Sequence, residues 1–436
     1  MGFSKISLSS RFAPKMLQTA VLFILFVIPP SVFPETQEAP GLQGMPLRQI
    51  REIKAVQEDQ PQINCRSAVL YDVVSGTLLY EKNSDEIIPP ASMTKLMSLH
   101  LLFNAVDAGK LSLDTLIPVS RAASFKSSPP GSSLMFLEEG QKVTLLEIMK
   151  GLAVSSGNDA GVAAAEAVSG SLAEFIRLMN SEAKKLGLEK TYFADSSGYS
   201  SKNQTTARDF ARFCMIYLEK HPNALSLLHS LPDFTYPKRD NIPPGGKSTY
   251  GFITQKNNNI LLGSLEGVDG LKTGYIDESG YNIALTAERN GRRLLAVTMG
   301  GEKENGIFNR AIDGAVLLSY GFYYFKTFYP LLPDMPPRKV FKGKSGRAAV
   351  TASVPAVTLP RDSSGSAENL NWRITWEGPL AAPFDKGRKA GEITLLDSVG
   401  SVIFTRPITT VSGVEKGSWI KQAFDSILLF FMGLFS

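Results

Sequence analysis

The sequence predicts an α+β fold, with strand hairpins at both ends of a long region whose interior reads as helix. Three observations carry this expectation. Residues 67–80 form two β-rich runs around Ser75-Gly76, a hairpin signature. The runs 281–287 and 293–299 flank Asn290-Gly291, a dipeptide suited to the two left-handed positions of a type I′ turn. Between them lie segments with apolar residues three and four apart, so the first and last strands are expected to share one sheet with helices packed on it.

Taken in order, Lys5, Arg11 and Lys15 precede the apolar run 20–28, which Pro29 and Pro30 end. This basic-then-apolar plan predicts an export signal over 1–34, and the run is shorter than a membrane span. No clear A-x-A site follows, so cleavage and retention as an anchor both stay open. Residues 35–61, rich in Gln, Glu and Pro, read as a linker. Good helix formers fill 93–108. A second helix over 171–186 is marked by Leu172, Ile176, Met179, Ala183 and Leu186, with a Ser171/Glu174 capping box and Gly187 as its stop. The Pro-rich stretch 330–337 closes a region spanning 62–330.

From 338 to 412 short β-type runs alternate with turn signals, which predicts a small β-sandwich. Residues 417–436 place Ile420, Ala423, Phe424, Ile427, Leu428, Phe431 and Phe435 mostly on one helical face, with Lys421, Gln422 and Asp425 mainly off it. Such a helix is expected in a membrane interface; the alternative is a helix packed on the sandwich.

With 436 residues, 43% of them hydrophobic, the chain can bury a sizeable core. The net charge of +5 comes from Lys and Arg spread along the sequence, which gives no nucleic-acid footprint. Cys65 and Cys214 are too few and too far apart for a disulfide framework or a metal site. His100, His221 and His229 never fall within one helical turn, so a zinc enzyme is not expected.

Three short motifs carry chemistry. In Ser92-Met93-Thr94-Lys95, residues three apart at a helix start share a face, holding an amine near a hydroxyl that is a weak nucleophile until a base takes its proton. Ser156-Gly157-Asn158 can present a proton-relaying hydroxyl and an amide to one cleft. In Lys272-Thr273-Gly274, alternation along a strand edge points Lys272 into a cleft, Thr273 can hold a carboxylate, and Gly274 admits a substrate backbone. Singly these are a solvated helix face, a turn and a surface strand.

Together and in this order they resemble the active-site set of serine penicillin-recognising enzymes. The surrounding stretches SAVLYDVVSGTLLYEKN, PPASMTKLM, GSSLMFLEEGQKVTLLEIMKGLAVSSGNDA, TTARDFA, GVDGLKTGY, SGYNIALTA, MGG and SYGF are similar to the low-molecular-mass D-alanyl-D-alanine carboxypeptidases over about 63–325. PLAAPFDKGRKAGEITLL resembles that family's C-terminal β domain more weakly, and the family commonly ends in an amphipathic membrane-binding helix.

The resemblance implies a penicillin-binding/β-lactamase-like catalytic domain at 62–330, a β-sandwich at 338–412 and a membrane helix at 417–436. It further implies a chain exported to the periplasmic side of the cytoplasmic membrane and peripherally attached there. The substrate implied is a peptidoglycan stem peptide ending in D-Ala-D-Ala, with β-lactams as covalent inhibitors and no cofactor. By the same resemblance Ser92 forms the acyl-ester and Lys95 accepts its proton. Ser156 passes a proton to the leaving amine and Asn158 aligns the peptide. Lys272 and Thr273 bind the substrate, Thr273 towards its carboxylate. Arg310 is a looser match near that carboxylate. The backbone N–H groups of Ser92 and Tyr275, just after Gly274, form the oxyanion hole.

Two departures stand out. Ile276 replaces the Thr of KTGxT, and Phe193-Ala-Asp-Ser-Ser-Gly-Tyr199 replaces an F-x-N-P/S-x-G-L string, a difference read as confined to a surface turn. The rival readings are a β-lactamase, for which no E-x-x-L-N loop is recognisable, a D,D-endopeptidase, and a non-catalytic wall-binding protein, which had no need to keep all three motifs.

Overall fold

The computed structural model describes residues 61–361 and 370–434. The expected export signal, the 35–61 linker up to residue 60, and Phe435 lie outside the described residues. Strands β1 (Ser67–Asp72) and β2 (Thr77–Lys82) form the first hairpin. Two short ribbons follow, β3 (Leu116–Pro118) with β4 (Lys142–Thr144) and β5 (Asp233–Tyr236) with β6 (Ile253–Lys256). Strands β7 (Val268–Ile276), β8 (Gly280–Arg289) and β9 (Arg292–Gly301) complete a five-stranded antiparallel sheet ordered β2-β1-β9-β8-β7. The first and last strands therefore meet, with Leu70 opposite Ala296. Asn290 and Gly291 both take positive φ, 52° and 74°, as the turn between β8 and β9 requires.

Both faces of this sheet are buried, and period-two alternation divides its side chains between two cores. Val69, Leu295 and Val297 face α1 (Lys95–Asp107), α2 (Leu145–Lys150), α3 (Asn158–Ser169), α4 (Leu172–Lys185) and α5 (Ala207–Lys220). Ala68, Leu70, Leu294 and Ala296 face Ala311, Ala315 and Leu318 of α6 (Gly306–Tyr324). α4 starts where the sequence places it, with Ser171 Oγ accepting from Glu174 N at 3.3 Å. Its capping box is only half made. Glu174 turns instead to Arg177, one helical turn on, and the full box belongs to Thr144 and Glu147 at α2.

Beyond α6 the chain enters β10 (Phe325–Phe328) without an intervening residue. Then come β11 (Arg338–Phe341), β12 (Arg347–Ala348), β13 (Val350–Ala352), β14 (Val357–Pro360), β15 (Asn371–Trp376), β16 (Leu380–Ala381), β17 (Lys389–Leu396) and β18 (Val402–Thr410). Sheets β12-β11-β16 and β13-β18-β17-β15 enclose Val340, Leu380, Ile393 and Ile408. β10, which precedes the Pro-rich stretch, pairs with β14. A hydroxyl relay ties this pair to the first hairpin. Thr358 Oγ1 meets Ser75 Oγ at 2.7 Å and Thr327 Oγ1 at 2.9 Å, and Thr327 donates to the buried Asp72 carboxylate.

The last helix, α7 (Trp419–Leu434), docks through its polar side. Asp425 Oδ2 accepts the Lys342 N–H and Lys421 Nζ donates to the Gly343 carbonyl at 2.7 Å. Trp419, Ile420, Phe424, Ile427, Phe430 and Phe431 stay exposed. Among the described residues, no helix is long and apolar enough to cross a membrane.

Candidate active site

The Ser92 segment follows from Pro89-Pro90, which cannot continue a ladder or start an α-helix with a free N–H. Ala91 takes a left-handed φ of 50°, and Ala91–Thr94 form a 3₁₀ turn that runs into α1. Ser92 thus sits one step before the regular helix, half-buried, while Lys95 is fully buried at its first position. Lys95 Nζ lies 3.0 Å from Ser92 Oγ, 2.7 Å from Asn158 Oδ1 and 2.7 Å from the Ser197 carbonyl. Burial pulls the Lys95 amine down to about 7, against the opposing charges of Asp195 and Asp159. A neutral amine has two N–H groups and one lone pair. The two carbonyl-type oxygens take the N–H groups, leaving the lone pair for the Ser92 hydroxyl.

Ser156 ends the π-type turn Gly151–Ser155 in the left-handed region, φ 58°. α3 then begins at Asn158, whose N–H donates to the Ser133 carbonyl at 2.8 Å. The neighbouring Asp159 is buried and accepts from Met135 N at 2.8 Å and Leu137 N at 3.0 Å. Those bonds fasten loop 131–137 beside Asn158. Burial raises the Asp159 carboxyl despite the N–H donors that favour its charged form.

β7 is an edge of the sheet, so its outer backbone groups can pair with an extended peptide. Lys272 and Thr273 are buried, with Lys272 Nζ donating to the Thr273 carbonyl at 3.1 Å. Burial drives the Lys272 amine well down, and the charges of Lys95 and Arg310 add to the effect. A Cβ on Gly274 would stand 2.6 Å from the Pro90 carbonyl oxygen and 3.2 Å from Ser92 N, so only glycine lets β7 press against the Ser92 turn. Tyr275 is partly exposed, its ring 4.3 Å from that of Tyr281 and its hydroxyl donating to Asp277 at 2.6 Å. Arg310 lies over the Tyr281 ring, donates to the Asn258 carbonyl at 3.3 Å, and is lowered by burial to about 10.

Of the nine residues singled out in the sequence, Ser92, Lys95 and Asn158 meet directly and Gly274 packs on the Ser92 turn with Lys272, Thr273 and Tyr275 beside it in β7, while Ser156 precedes Asn158 by two residues and Arg310 lies over Tyr281. Two further contributors were not anticipated. The 193–199 segment is not merely a surface turn: Ser197 supplies a carbonyl to Lys95, and Gly198 abuts the Ala91 carbonyl. The Asp195-Ser196-Ser197-Gly198 string carried an Asx-turn signal, but nothing in it pointed 102 residues back to Lys95. His229 is the second. Its Nδ1 lies 3.0 Å from the Leu271 carbonyl, next to Lys272, and its Nε2 lies 2.8 Å from the Tyr217 hydroxyl. The chemistry these groups can supply is that of an activated hydroxyl, Ser92 Oγ beside the buried Lys95 amine.

An antiparallel sheet with helices on both faces, a serine-lysine pair at a helix start and a KTG edge strand define a serine acyl-transfer enzyme. Residues 54–303 match the peptidase S11 family, D-alanyl-D-alanine carboxypeptidase. The chain belongs to this family of serine peptidases, in the α+β fold its solved relatives share. It is 34% identical to D-alanyl-D-alanine carboxypeptidase DacC of Escherichia coli, across 86% of this chain and 90% of the relative. Penicillin-binding protein 5 from Haemophilus influenzae superimposes with a TM-score of 0.72 at 28% identity, covering 82% of this chain and 99% of that one. Penicillin-binding protein D2 from Listeria monocytogenes in its cefotaxime-bound form gives 0.51 at 30% identity, covering 60% of this chain and 100% of that one.

Proposed function

We propose that Ser92 is the acylating nucleophile of this carboxypeptidase and Lys95 its base, acting on peptidoglycan stem peptides that end in D-Ala-D-Ala. The observation that carries the assignment is the Lys95 amine, buried, lowered to about 7 and held 3.0 Å from Ser92 Oγ. The substrate lies along the β7 edge with its terminal carboxylate among Lys272, Thr273 and Arg310. Ser92 Oγ attacks the penultimate D-Ala carbonyl as its proton passes to Lys95. The oxyanion is received by the backbone N–H groups of Ser92 and Tyr275. Ser156 relays the proton held by Lys95 to the departing amine, D-alanine leaves, and water, giving a proton back to Ser92 Oγ through Lys95, cleaves the ester with Asn158 aligning the peptide. A β-lactam would form the same ester while its leaving group stays tethered; that a relative is known in a cefotaxime-bound form supports β-lactams as ligands of this cleft.

The catalytic part is assigned to 62–330, the β-sandwich to 338–412 and the membrane helix to 417–436, where the outward apolar face of α7 supports peripheral attachment. The signal-like N-terminus supports export to the periplasmic side of the cytoplasmic membrane. The test compares the purified chain with its Ser92→Ala variant on a D-Ala-D-Ala peptide and on a labelled penicillin. D-alanine release and a lasting adduct, both lost in the variant, are expected. Rapid penicillin turnover without D-alanine release, or activity that survives Ser92→Ala, overturns the assignment.

A further inference from the structure

The turn that supplies the third partner of Lys95 is folded by one side chain. Asp195 is followed by three residues whose orientations all matter: the Ser196 carbonyl accepts from Ser98 Oγ at 2.7 Å, the Ser197 carbonyl from Lys95 Nζ at 2.7 Å, and Gly198 packs against the Ala91 carbonyl. Nothing in their own side chains sets those directions. The Asp195 carboxylate does. Its Oδ1 accepts the N–H groups of Ser197, at 2.8 Å, and Gly198; its Oδ2 accepts the Ser200 N–H at 2.6 Å and Asn203 Nδ2 at 3.1 Å. With the Ser197 hydroxyl, 3.4 Å from Oδ1, five donors converge on two oxygens. An asparagine, which the related string carries at this position, offers one acceptor oxygen and no charge. The buried Asn203 closes the turn from the far side, accepting the Ala194 N–H at 2.8 Å.

The same carboxylate is a fixed negative charge close to a buried amine. The charged groups facing Lys95 are Asp195 from this turn, Asp159 from the start of α3 and Lys272 from β7, with Arg310 of α6 facing Lys272 in turn. We propose that Asp195 is a positioning residue for acylation: its carboxylate folds the turn that holds the Ser197 carbonyl on Lys95 and brings a negative charge to that side of the amine. This rests on the Ser92–Lys95 assignment above. Two consequences of one side chain are separable. Geometry sets the height of the acylation rate at all pH values; charge sets where the rate rises. Of the two opposing carboxylates, Asp195 acts more strongly on Lys95 than Asp159 does.

The experiment measures the second-order rate of acylation by a labelled penicillin from acid to alkaline pH. It uses the full chain and the variants Asp195→Asn, Asp195→Ser and Asn203→Ala, each first shown to melt cooperatively. Both neutral variants at 195 are expected to lower the plateau and to move the acid limb about one unit to lower pH, as loss of a nearby opposite charge does. Serine keeps a local acceptor for the turn, so one variant remains should asparagine fail to fold. Asn203→Ala loosens the turn but keeps the charge, and is expected to lower the plateau with its midpoint unmoved. Midpoints of the folded 195 variants that coincide with that of the unaltered chain overturn the proposal and leave a purely structural turn. A chain that no penicillin acylates at any pH overturns the Ser92–Lys95 assignment instead.

Discussion

Gly198→Ala should cripple acylation far more than it destabilises the fold. A methyl at 198 would lie 1.8 Å from the Ala91 carbonyl oxygen, 2.3 Å from its carbon and 2.9 Å from Ser92 N. Restoring ordinary contact takes a movement of roughly 1.4 Å, because non-bonded carbon and oxygen settle near 3.2 Å or beyond. The Ala91–Ser92 backbone, the 195–203 turn, or both must yield. Either shift separates Ser197 from Lys95 or Ser92 from its donors. A misplacement of that order costs about 100-fold in rate.

Gly198 also has a φ of +83°, which costs an alanine about 1–2 kcal/mol whatever the surroundings. Gly170 provides the matched control, with φ +72° and nothing within 4 Å of an added Cβ. Gly170→Ala carries the conformational cost alone. The assay is the acylation rate by labelled penicillin beside thermal melting for both variants. Equal acylation by the two, with Gly198→Ala folded, refutes the claim that the 195–203 turn is pressed against the Ala91–Ser92 backbone.

Further expectations concern pH and the membrane. Because the Lys95 amine is lowered to about 7, the acylation rate should climb with a midpoint near that value, and at pH 5 only about 1% of the amine is neutral, a roughly 100-fold loss from the plateau; a limb centred near the ordinary lysine range would contradict it. His221 and His229, lowered by burial to about 4 and about 3, take protons in the unfolded chain near 6.5 but not in the folded one. Stability should therefore fall as pH drops below about 6.5, each contributing up to about 1.4 kcal/mol per pH unit. His229→Gln should flatten that slope in urea melts, and an unchanged slope would count against it. Replacing Phe424 or Ile427 by Glu should each remove about 2 kcal/mol of interfacial burial, roughly 30-fold in vesicle partitioning of the full chain; sedimentation with vesicles that is indifferent to both would point to another use of that face.

Much of this was legible in the sequence because the decisive spacings are local. Ser92 and Lys95 need only one helical turn to meet, Ser156 and Asn158 only a tight turn, and Asn290-Gly291 declares its own conformation. What stayed hidden depends on side chains meeting across the fold. Asp195 looks like any turn-forming aspartate until the turn is found against α1. The three histidines share no sequence motif, yet His100 and His221 lie 2.8 Å apart in the core, bound on the far side to Glu182, while His229 buttresses the KTG strand. The start of α1 was expected as ordinary helix. The Pro-Pro lead-in and the left-handed Ala91 impose a 3₁₀ turn there, which lifts Ser92 out of the regular register.

The join between the two parts of the chain bears on reach. α6 passes straight into β10, Arg361 donates its N–H to the Tyr324 carbonyl at 2.8 Å and its guanidinium to the Phe322 carbonyl, and Arg292 of the central sheet holds the Phe325 carbonyl at 2.8 Å. Those clasps leave little slack, and at the other end α7 is pinned to the sandwich by Asp425 and Lys421. Were that helix laid on a bilayer as proposed, the cleft would work at a set standoff from the lipid, and wall strands at one depth would be trimmed in preference to those nearer or farther. On that proposal the β-sandwich would act as a ruler, and changing its length rather than its surface should change which layer of the wall is processed.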